Sequence, residues 1–267
     1  MATKSTELSI TVIKALALLE IVADSPQPLT LSEIAAQACF DRSTTYRLLN
    51  TLVEAGYLLR DDASKHYRLS YRLVALSRNL LADNEVSRMT LQVLEKIAAE
   101  TGETVHFSAL DGMQTVLIQK VKGTQLVAVD FQLGDRSMLH CTSIGKAVLA
   151  FQDAPFVEKV IAAGLPALAS RTITHPDALL DELARVRARG YALDDHEFSD
   201  SMRCIAVPVF GPDGRVTTGI SISGPDTRFS LEKLEELKVP MLAGAQELSR
   251  RMGGRRGNST HSVQSPI

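Results

Sequence analysis

The sequence predicts an α+β protein that begins with a winged helix-turn-helix. Residues 30–56 carry two short amphipathic helix patterns around a tight turn, and residues 57–69 carry two short strand patterns around a polar turn. From residue 102 onward, alternating strand patterns precede helical segments, further strands and a last long helix. That order is typical of helices packed on a sheet. A chain of 267 residues is long enough for two domains of ordinary size.

The first predicted element is a helix over residues 9–24. Its apolar residues recur at helical spacing. They are Ile10, Ile13, Leu16, Ala17, Leu19 and Ile21. Pro26 and Pro28 end this helix, because a proline does not continue a helix interior.

Capping residues mark the two helices that follow. Thr30 with Glu33 three residues later is a capping-box pattern, and Asp41 is suited to cap a second helix after a break at Cys39. Gly56 is the expected stop of the second helix. The positions expected to be buried are Leu31, Ile34, Ala35 and Ala38 on the first helix and Leu48, Leu49, Leu52 and Val53 on the second.

The front of the second helix carries the candidate DNA contacts. Hydroxyl and guanidinium groups at the start of such a helix suit phosphates and base edges in a major groove. The candidates are Arg42, Ser43, Thr44, Thr45, Tyr46 and Arg47. In the hairpin that follows, Arg60 and Lys65 are expected to position the wing. A solvated face on an ordinary helix pair is the alternative interpretation.

The charge distribution favours a local DNA-binding patch. The formal net charge is −2, which excludes a chain coated in positive charge. Residues 42–78 nevertheless contain seven Lys/Arg against three acids, a local charge of +4. Because a nucleic-acid footprint can be confined to one face, this patch fits the helix pair.

We expect four segments. Residues 1–70 form the winged helix-turn-helix, 71–84 a linker helix, 85–252 the C-terminal α+β domain, and 253–267 a disordered polar tail. A stripe on the linker helix, Leu73, Leu76 and Leu80, packs either on a partner chain or on its own domain. A homodimer suits a helix-turn-helix that contacts a two-fold symmetric site.

The C-terminal domain is predicted to contain strands and helices in alternation. The expected strands are Thr104–Leu110, Thr115–Val121, Leu126–Phe131, Tyr191–Asp194, Arg203–Phe210 and Val216–Ser223. The expected helices start near Ser143, span Phe156–Ala163, start at Thr174–Asp177 and run to Arg189, and span Leu231–Met252.

Three spots in this domain carry groups suited to a ligand. Ser143 and Ile144 at a helix start would offer unpaired backbone N–H groups, which attract carboxylates or phosphates. Asp194 and Cys204 bring an acid and a thiol to the edge of the sheet. Ser221 and Ser223, two apart on a strand, point to one face. Each spot alone is commonly structural, and only their convergence would make a site.

An enzyme that uses a Cys/His/Asp pocket is the alternative function. His140, His196, Asp194 and Cys204 supply the residue types for a Cys–His nucleophile or a metal site. The sequence lacks HExxH, GxSxG, a glycine-rich phosphate loop and paired CxxC, so we expect no catalysis, cofactor or metal. Three widely spaced cysteines, a polar N-terminus and no long apolar run predict a cytoplasmic protein without membrane partners.

The ordered motifs resemble the IclR family of bacterial transcriptional regulators. They are LSEIA at 31–35, STTYRLLNTLVEAGY at 43–57, LHCTSIGKAVLA at 139–150, GYALDDHEFSDSMRCIAVPVF at 190–210 and GISISGP at 219–225. The resemblance implies a GAF/profilin-like effector-binding domain at 85–252, a dimer or tetramer, and small organic acids as effectors. Implied effector contacts are the Ser143 and Ile144 amides, Asp194, Cys204, Ser221 and Ser223. One departure is Ser143–Ile144, where some carboxylate-binding members carry a smaller pair.

The expected function is therefore sequence-specific binding of double-stranded operator DNA under the control of a small organic acid. A sugar acid, such as a 2-keto-3-deoxy acid, and an aromatic acid both remain open as effectors. Repression of a catabolic operon is the expected outcome.

Overall fold

The computed structural model describes residues 8–77, 85–129 and 131–254. The chain divides into two compact units, Met1–Ala82 and Asp83–Ile267. Most of the predicted tail, residues 255–267, and half of the predicted linker helix, residues 78–84 with Leu80, lie outside the described residues.

The first unit is the predicted winged helix-turn-helix. Its elements are α1 (Ile10–Asp24), α2 (Leu31–Ala38), α3 (Arg42–Glu54), β1 (Leu58–Arg60), β2 (Tyr67–Leu69) and α4 (Arg72–Ser77). The two strands pair antiparallel. Leu29, before α2, exchanges both backbone hydrogen bonds with Tyr67, so the chain between the first two helices is tied to the wing.

The predicted caps all form. The Thr30 hydroxyl accepts from the Glu33 amide while the Glu33 carboxylate accepts from the Thr30 amide at 2.7 Å. Cys39 ends α2 in a left-handed conformation, φ 53°. Asp41 Oδ1 accepts from the Thr44 amide at 2.8 Å and caps α3. Gly56, φ 78°, follows the end of α3, and its positive φ is the reason that glycine suits this stop.

Of the apolar stripe predicted on α1, only the C-terminal end packs against the core of the first unit, where Leu19 and Ile21 are partly buried. Leu18 and Val22 are buried, with Ile34, Leu49 and Leu52 from the helix pair among their neighbours in the core. The N-terminal half of the predicted stripe faces solvent, with Ile10, Ile13 and Leu16 exposed, and Val12 beside it is exposed too. The helix α4 buries no residue in this unit.

The second unit is a six-stranded antiparallel sheet with helices on both faces. Its elements are α5 (Glu85–Thr101), β3 (Val105–Asp111), β4 (Gln114–Val121), β5 (Arg136–Met138), α6 (Ser143–Leu149), α7 (Ala154–Ala162), α8 (Pro176–Arg189), β6 (Ala192–Asp195), β7 (Met202–Phe210), β8 (Val216–Pro225) and α9 (Leu231–Arg251). The strand order is β5-β4-β3-β8-β7-β6.

One strand prediction was wrong. Of residues 126–131, those described form no strand, and Arg136–Met138 is the strand that pairs with β4 instead. The Leu126 side chain is fully exposed. The carbonyls of Val127 and Phe131 accept from the side chains of Arg228 and Lys120 rather than from a neighbouring strand. The apolar residues that suggested a strand therefore lie in a loop.

The two faces of the sheet differ in chemistry. One face is apolar and packs on α5 and α9 through Val105, Phe107, Ile205, Val207, Ile220 and Ile222. The opposite face carries polar residues under α6, because successive side chains on a strand alternate between faces. Buried polar residues on that face are His106, Ser108, Asp194, Ser221 and Ser223.

Candidate functional site

The front of α3 presents a polar stripe to solvent. Arg42, Ser43, Tyr46 and Arg47 are exposed, and their spacing puts them on one side of the helix. Half-buried Asn50, which the sequence analysis did not single out, continues the same side one turn further on. Its carboxamide is of the type that pairs with adenine in a major groove.

Thr45 does not belong to this stripe. Its side chain is fully buried, and its hydroxyl donates to the Asp41 carbonyl at 2.9 Å. This burial argues against the predicted contact between Thr45 and DNA, so Thr45 is left out of the contacts proposed below. Thr44 is half-buried, with its amide held by the Asp41 carboxylate.

The two predicted wing residues have different environments. Lys65 is exposed in the turn, with a left-handed backbone at φ 60°. The half-buried Arg60 lies over the Tyr67 ring, with the guanidinium carbon 5.7 Å from the ring centroid. The Asp61 carboxylate accepts from the Ser64 amide at 2.6 Å and closes the turn between them. Arg60 thus packs across the two strands of the hairpin, against Tyr67, and Lys65 lies at the tip of the hairpin.

In the second unit, one pocket collects all six residues predicted to contact an effector. They are Ser143, Ile144, Asp194, Cys204, Ser221 and Ser223. The sheet register accounts for this convergence: Asp194, Cys204 and Ser223 lie side by side on β6, β7 and β8. Ser221 is two residues from Ser223 and faces the same way.

The start of α6 forms the opposite wall of the pocket. The Thr142 hydroxyl accepts from the Gly145 amide at 3.0 Å, and Ser143 and Ile144 occupy the first two helical positions, whose amides have no intrahelical acceptor. A Cβ on Gly145 would lie 2.4 Å from the Met138 carbonyl, so only glycine allows this approach. A Cβ on Gly219 would lie 2.7 Å from Ile144 Cδ1. Gly219 therefore makes room for the larger Ile144.

Asp194 is the buried acid of the pocket. Its Oδ1 accepts from the Glu197 amide at 2.8 Å and from the Phe198 amide at 3.2 Å. Its Oδ2 is buried and accepts no N–H or O–H hydrogen bond among the described residues, and the neighbouring Cys204 thiol is a weak donor to this carboxylate. Burial raises the pKa of Asp194 above its ordinary value, although these amides and the Lys146 ammonium act in the opposite direction.

Cys204 is a buried thiol beside that carboxyl group. Burial and the neighbouring Asp194 raise the pKa of Cys204 well above its ordinary value. Burial also raises the pKa of Cys141 to about 12. Both thiols therefore stay protonated, and a nucleophilic cysteine requires a thiolate. This environment does not supply one.

A buried ion pair behind the pocket was missed by the sequence analysis. The Lys146 side chain on α6 is fully buried and contacts the Glu197 carboxylate in the segment after β6. The backbone amide of Glu197 donates to the Asp194 carboxylate. The Lys146–Glu197 ion pair therefore connects α6, which forms one wall of the pocket, to Asp194. A lysine among apolar neighbours in SIGKAVLA was the available signal.

Nine further residues that were also missed complete the described pocket lining. They are His106, Ser108, Leu117, Phe131, Asp135, Ser137, Thr142, Phe198 and Met202. Phe131 stacks edge-on against both His106 and Phe198, at ring-centroid distances of 5.5 and 6.4 Å. His106 and Ser108 lie two residues apart on a predicted strand, so their side chains point to the same face of the sheet. This spacing could have placed them with Ser221 and Ser223.

Across 8–77, 85–129 and 131–254, no group of three His, Cys, Asp or Glu side chains is arranged to hold a metal ion. In the same ranges, no helix has the length and apolar character needed to cross a membrane.

Comparisons with known proteins cover both units. The family model described as "Bacterial transcriptional regulator IclR C-terminal" matches residues 79–250, and the model described as "IclR helix-turn-helix domain" matches residues 11–62. The regulator KdgR of Escherichia coli K12 is 32% identical over 91% of this chain and 92% of its own. The transcriptional repressor IclR of the same organism is 30% identical over 91% of this chain and 90% of its own.

The fold agrees with these matches. The crystal structure of the Thermotoga maritima IclR covers 91% of this chain and 98% of its own, with 33% identity and a TM-score of 0.73. These relatives are transcriptional regulators and not enzymes. The chain belongs to the IclR family of bacterial transcriptional regulators, with an N-terminal DNA-binding helix-turn-helix and a C-terminal IclR domain.

Proposed function

We propose that this regulator represses a catabolic operon and that a small organic acid bound in the C-terminal pocket controls its binding to the operator. The observation that carries the proposal is the convergence of Ser143, Ile144, Asp194, Cys204, Ser221 and Ser223 on one buried pocket. Repression is favoured by similarity to the transcriptional repressor IclR.

The pocket chemistry supports an organic acid. The Ser143 and Ile144 amides at a helix start are donors suited to a carboxylate. The hydroxyls of Ser221 and Ser223 provide further donors within the same cavity. Phe131 and Phe198 supply apolar surface for the carbon skeleton of the ligand. A sugar acid and an aromatic acid both match this combination of groups.

The DNA contacts in this proposal come from α3 and the wing. Arg42, Ser43, Thr44, Tyr46 and Arg47 would enter the major groove, with Asn50 as an added candidate. Arg60 and Lys65 would set the wing against the phosphate backbone. The exposure of Arg42, Ser43, Tyr46, Arg47 and Lys65 supports this assignment. Association of copies into a homodimer or homotetramer would place two such helices on one operator.

The exposed apolar side chains of the first unit support self-association. A group of large apolar side chains exposed on one element commonly marks an interaction surface. On α1 and α4 these residues are Ile10, Val12, Ile13, Leu16, Val74 and Leu76. A ligand bound in the second unit changes DNA binding only if it prefers one arrangement of the subunits over another. The linker, residues 71–84, is the covalent route for such a preference.

A DNA-binding measurement with matched variants tests the proposal. A duplex is selected from a random-sequence pool by the wild-type chain, and its Kd is then measured for Arg47→Ala and for Arg215→Ala. Arg215 is an exposed arginine of the second unit, so its variant loses the same charge. We expect Arg47→Ala to weaken binding by about 1–3 kcal/mol, roughly 5- to 150-fold, if it contacts a base, and Arg215→Ala to change little. Equal affinities for the two variants would contradict the assignment of α3.

A further inference from the structure

The pocket has donors for an acid, but its described lining carries no lysine or arginine side chain. The acids Asp135 and Asp194 both line it. His106 is the one lining residue of the described set that is able to become a cation. A carboxylate that reaches the Ser143 and Ile144 amides therefore enters a buried space that already contains a carboxyl group. Two carboxylates that share such a site do not both stay ionised.

The ammonium that acts on Asp194 already has a carboxylate partner, and the Lys120 ammonium on β4 donates to the Phe131 carbonyl at 2.6 Å. From α6, the Lys146 ammonium is already paired with Glu197 of the segment after β6. The Cys204 thiol on β7 and the Cys141 thiol before α6 are neutral, because burial raises the pKa of each. With Asp194 ionised, the cluster of one ammonium and two carboxylates has a net charge of −1. An effector carboxylate would make it −2 inside the protein.

We propose that the effector carboxylate binds together with one proton, which moves from solvent to Oδ2 of Asp194 and is then donated in a hydrogen bond to the effector. This inference rests on the proposed function of the pocket. Solvent loses one proton, no other bond changes, and the cluster with its ligand keeps a net charge of −1.

The geometry of Asp194 selects Oδ2 as the proton acceptor. Oδ1 is occupied by the amides of Glu197 and Phe198, while Oδ2 is buried and accepts no N–H or O–H hydrogen bond among the described residues; the Cys204 thiol beside the carboxylate is only a weak donor. Burial already raises the pKa of Asp194 in the free pocket, and a second carboxylate nearby raises it further. The pocket is thereby selective for monocarboxylic acids taken up with a proton.

Titration calorimetry of the full chain tests this proton uptake. The probes are 4-hydroxybenzoate and 2-keto-3-deoxygluconate, measured from about pH 6 to about pH 8 in pairs of buffers with different ionisation enthalpies, which count the protons bound. We expect uptake approaching one proton per bound acid and a Kd that rises by up to about tenfold per pH unit. For any aromatic acid that binds, its amide (here 4-hydroxybenzamide) is the neutral control and should take up no proton.

Two variants identify the group that takes the proton. Asp194→Asn keeps the shape of the side chain and its Oδ1 acceptor, while its amide donates at every pH. We therefore expect its Kd for the acids to be independent of pH, with no proton uptake. His106→Gln should retain the pH dependence of the wild type. If Asp194→Asn does not fold, calorimetry of the wild type in the paired buffers still measures the number of protons bound with the acid.

Three results would overturn the inference. Binding of an acid without proton uptake would refute it while leaving the effector pocket in place. Loss of the pH dependence in His106→Gln, with retention in Asp194→Asn, would put the proton on the imidazole instead. Failure of both acids to bind the wild type at about pH 6 would count against the effector proposal and against this inference together.

Discussion

Replacing Lys146 with methionine is expected to destabilise the second unit strongly. The Lys146 side chain is fully buried, and its ammonium contacts a Glu197 side chain that is 11% exposed. Methionine keeps most of the volume of lysine and removes the charge. The variant therefore leaves the Glu197 carboxylate buried without its cation, beside Asp194.

The expected cost follows from that loss. Removing one partner of a buried ion pair typically costs about 3–5 kcal/mol in the free energy of unfolding. At roughly 2–4 °C per kcal/mol for a unit of this size, the Tm should fall by about 6–20 °C. Burial already raises the pKa of Glu197. An acid whose folded-state pKa is raised costs stability at pH values above that pKa, so the deficit of the variant should shrink as the pH falls through it.

Thermal and urea unfolding of the full chain, followed by circular dichroism, measure this effect. The matched control is Lys96→Met, whose Lys96–Glu247 pair is 3.7 Å long with a lysine side chain that is 61% exposed. Such an exposed pair contributes at most about 1 kcal/mol. The double variant Lys146→Met/Glu197→Gln should recover part of the loss. A Lys146→Met variant no less stable than Lys96→Met would refute the role given to this ion pair.

Two further predictions concern buried groups. Thr45→Val should leave the Kd for the selected duplex within about twofold, because the side chain lies in the core and not on the DNA face; a loss as large as that of Arg47→Ala would return Thr45 to the interface. With iodoacetamide at about pH 8, exposed Cys39 should be alkylated, whereas Cys141 and Cys204, whose pKa values burial raises, should react only after unfolding. Mass spectrometry of peptides reads out the sites, and rapid alkylation of Cys204 in the folded chain would show an accessible thiolate.

Features fixed by neighbouring residues were predictable from the sequence. The Thr30–Glu33 capping box, the Asp41 cap and the stop at Gly56 depend on contacts within a few residues, and each forms as predicted. Thr45 was predictable in principle, because its spacing from Leu48, Leu49 and Leu52 places it on their buried side.

Features that depend on distant partners were not predictable in this way. Ile10 and Leu18 both fit a helical apolar pattern, and only the packing of the whole unit decides that Leu18 is buried. The segment 126–131 has the composition of a strand, yet the chain turns so that Arg136–Met138 occupies the edge of the sheet. Lys146 meets its partner 51 positions later in the chain, a separation over which local patterns carry no signal.

The pocket residues were predictable for a different reason. Asp194, Cys204 and Ser223 come from three strands, and their alignment follows from the sheet register. The residues alone suggested three separate spots, and the resemblance to the IclR family joined them into one site. His106, Phe131 and Phe198 were not among the residues implied by the resemblance, although the fold brings them into the same pocket.

The most direct test of the account is whether a ligand in this pocket controls DNA binding. The Kd for the selected duplex is measured with and without saturating 2-keto-3-deoxygluconate or 4-hydroxybenzoate, for the wild type and for Ser221→Ala/Ser223→Ala. We expect an acid to shift the Kd of the wild type, and we expect the double variant to bind DNA normally but to lose the shift. An unchanged shift in the double variant, or a wild-type Kd that neither acid alters, would contradict this expectation.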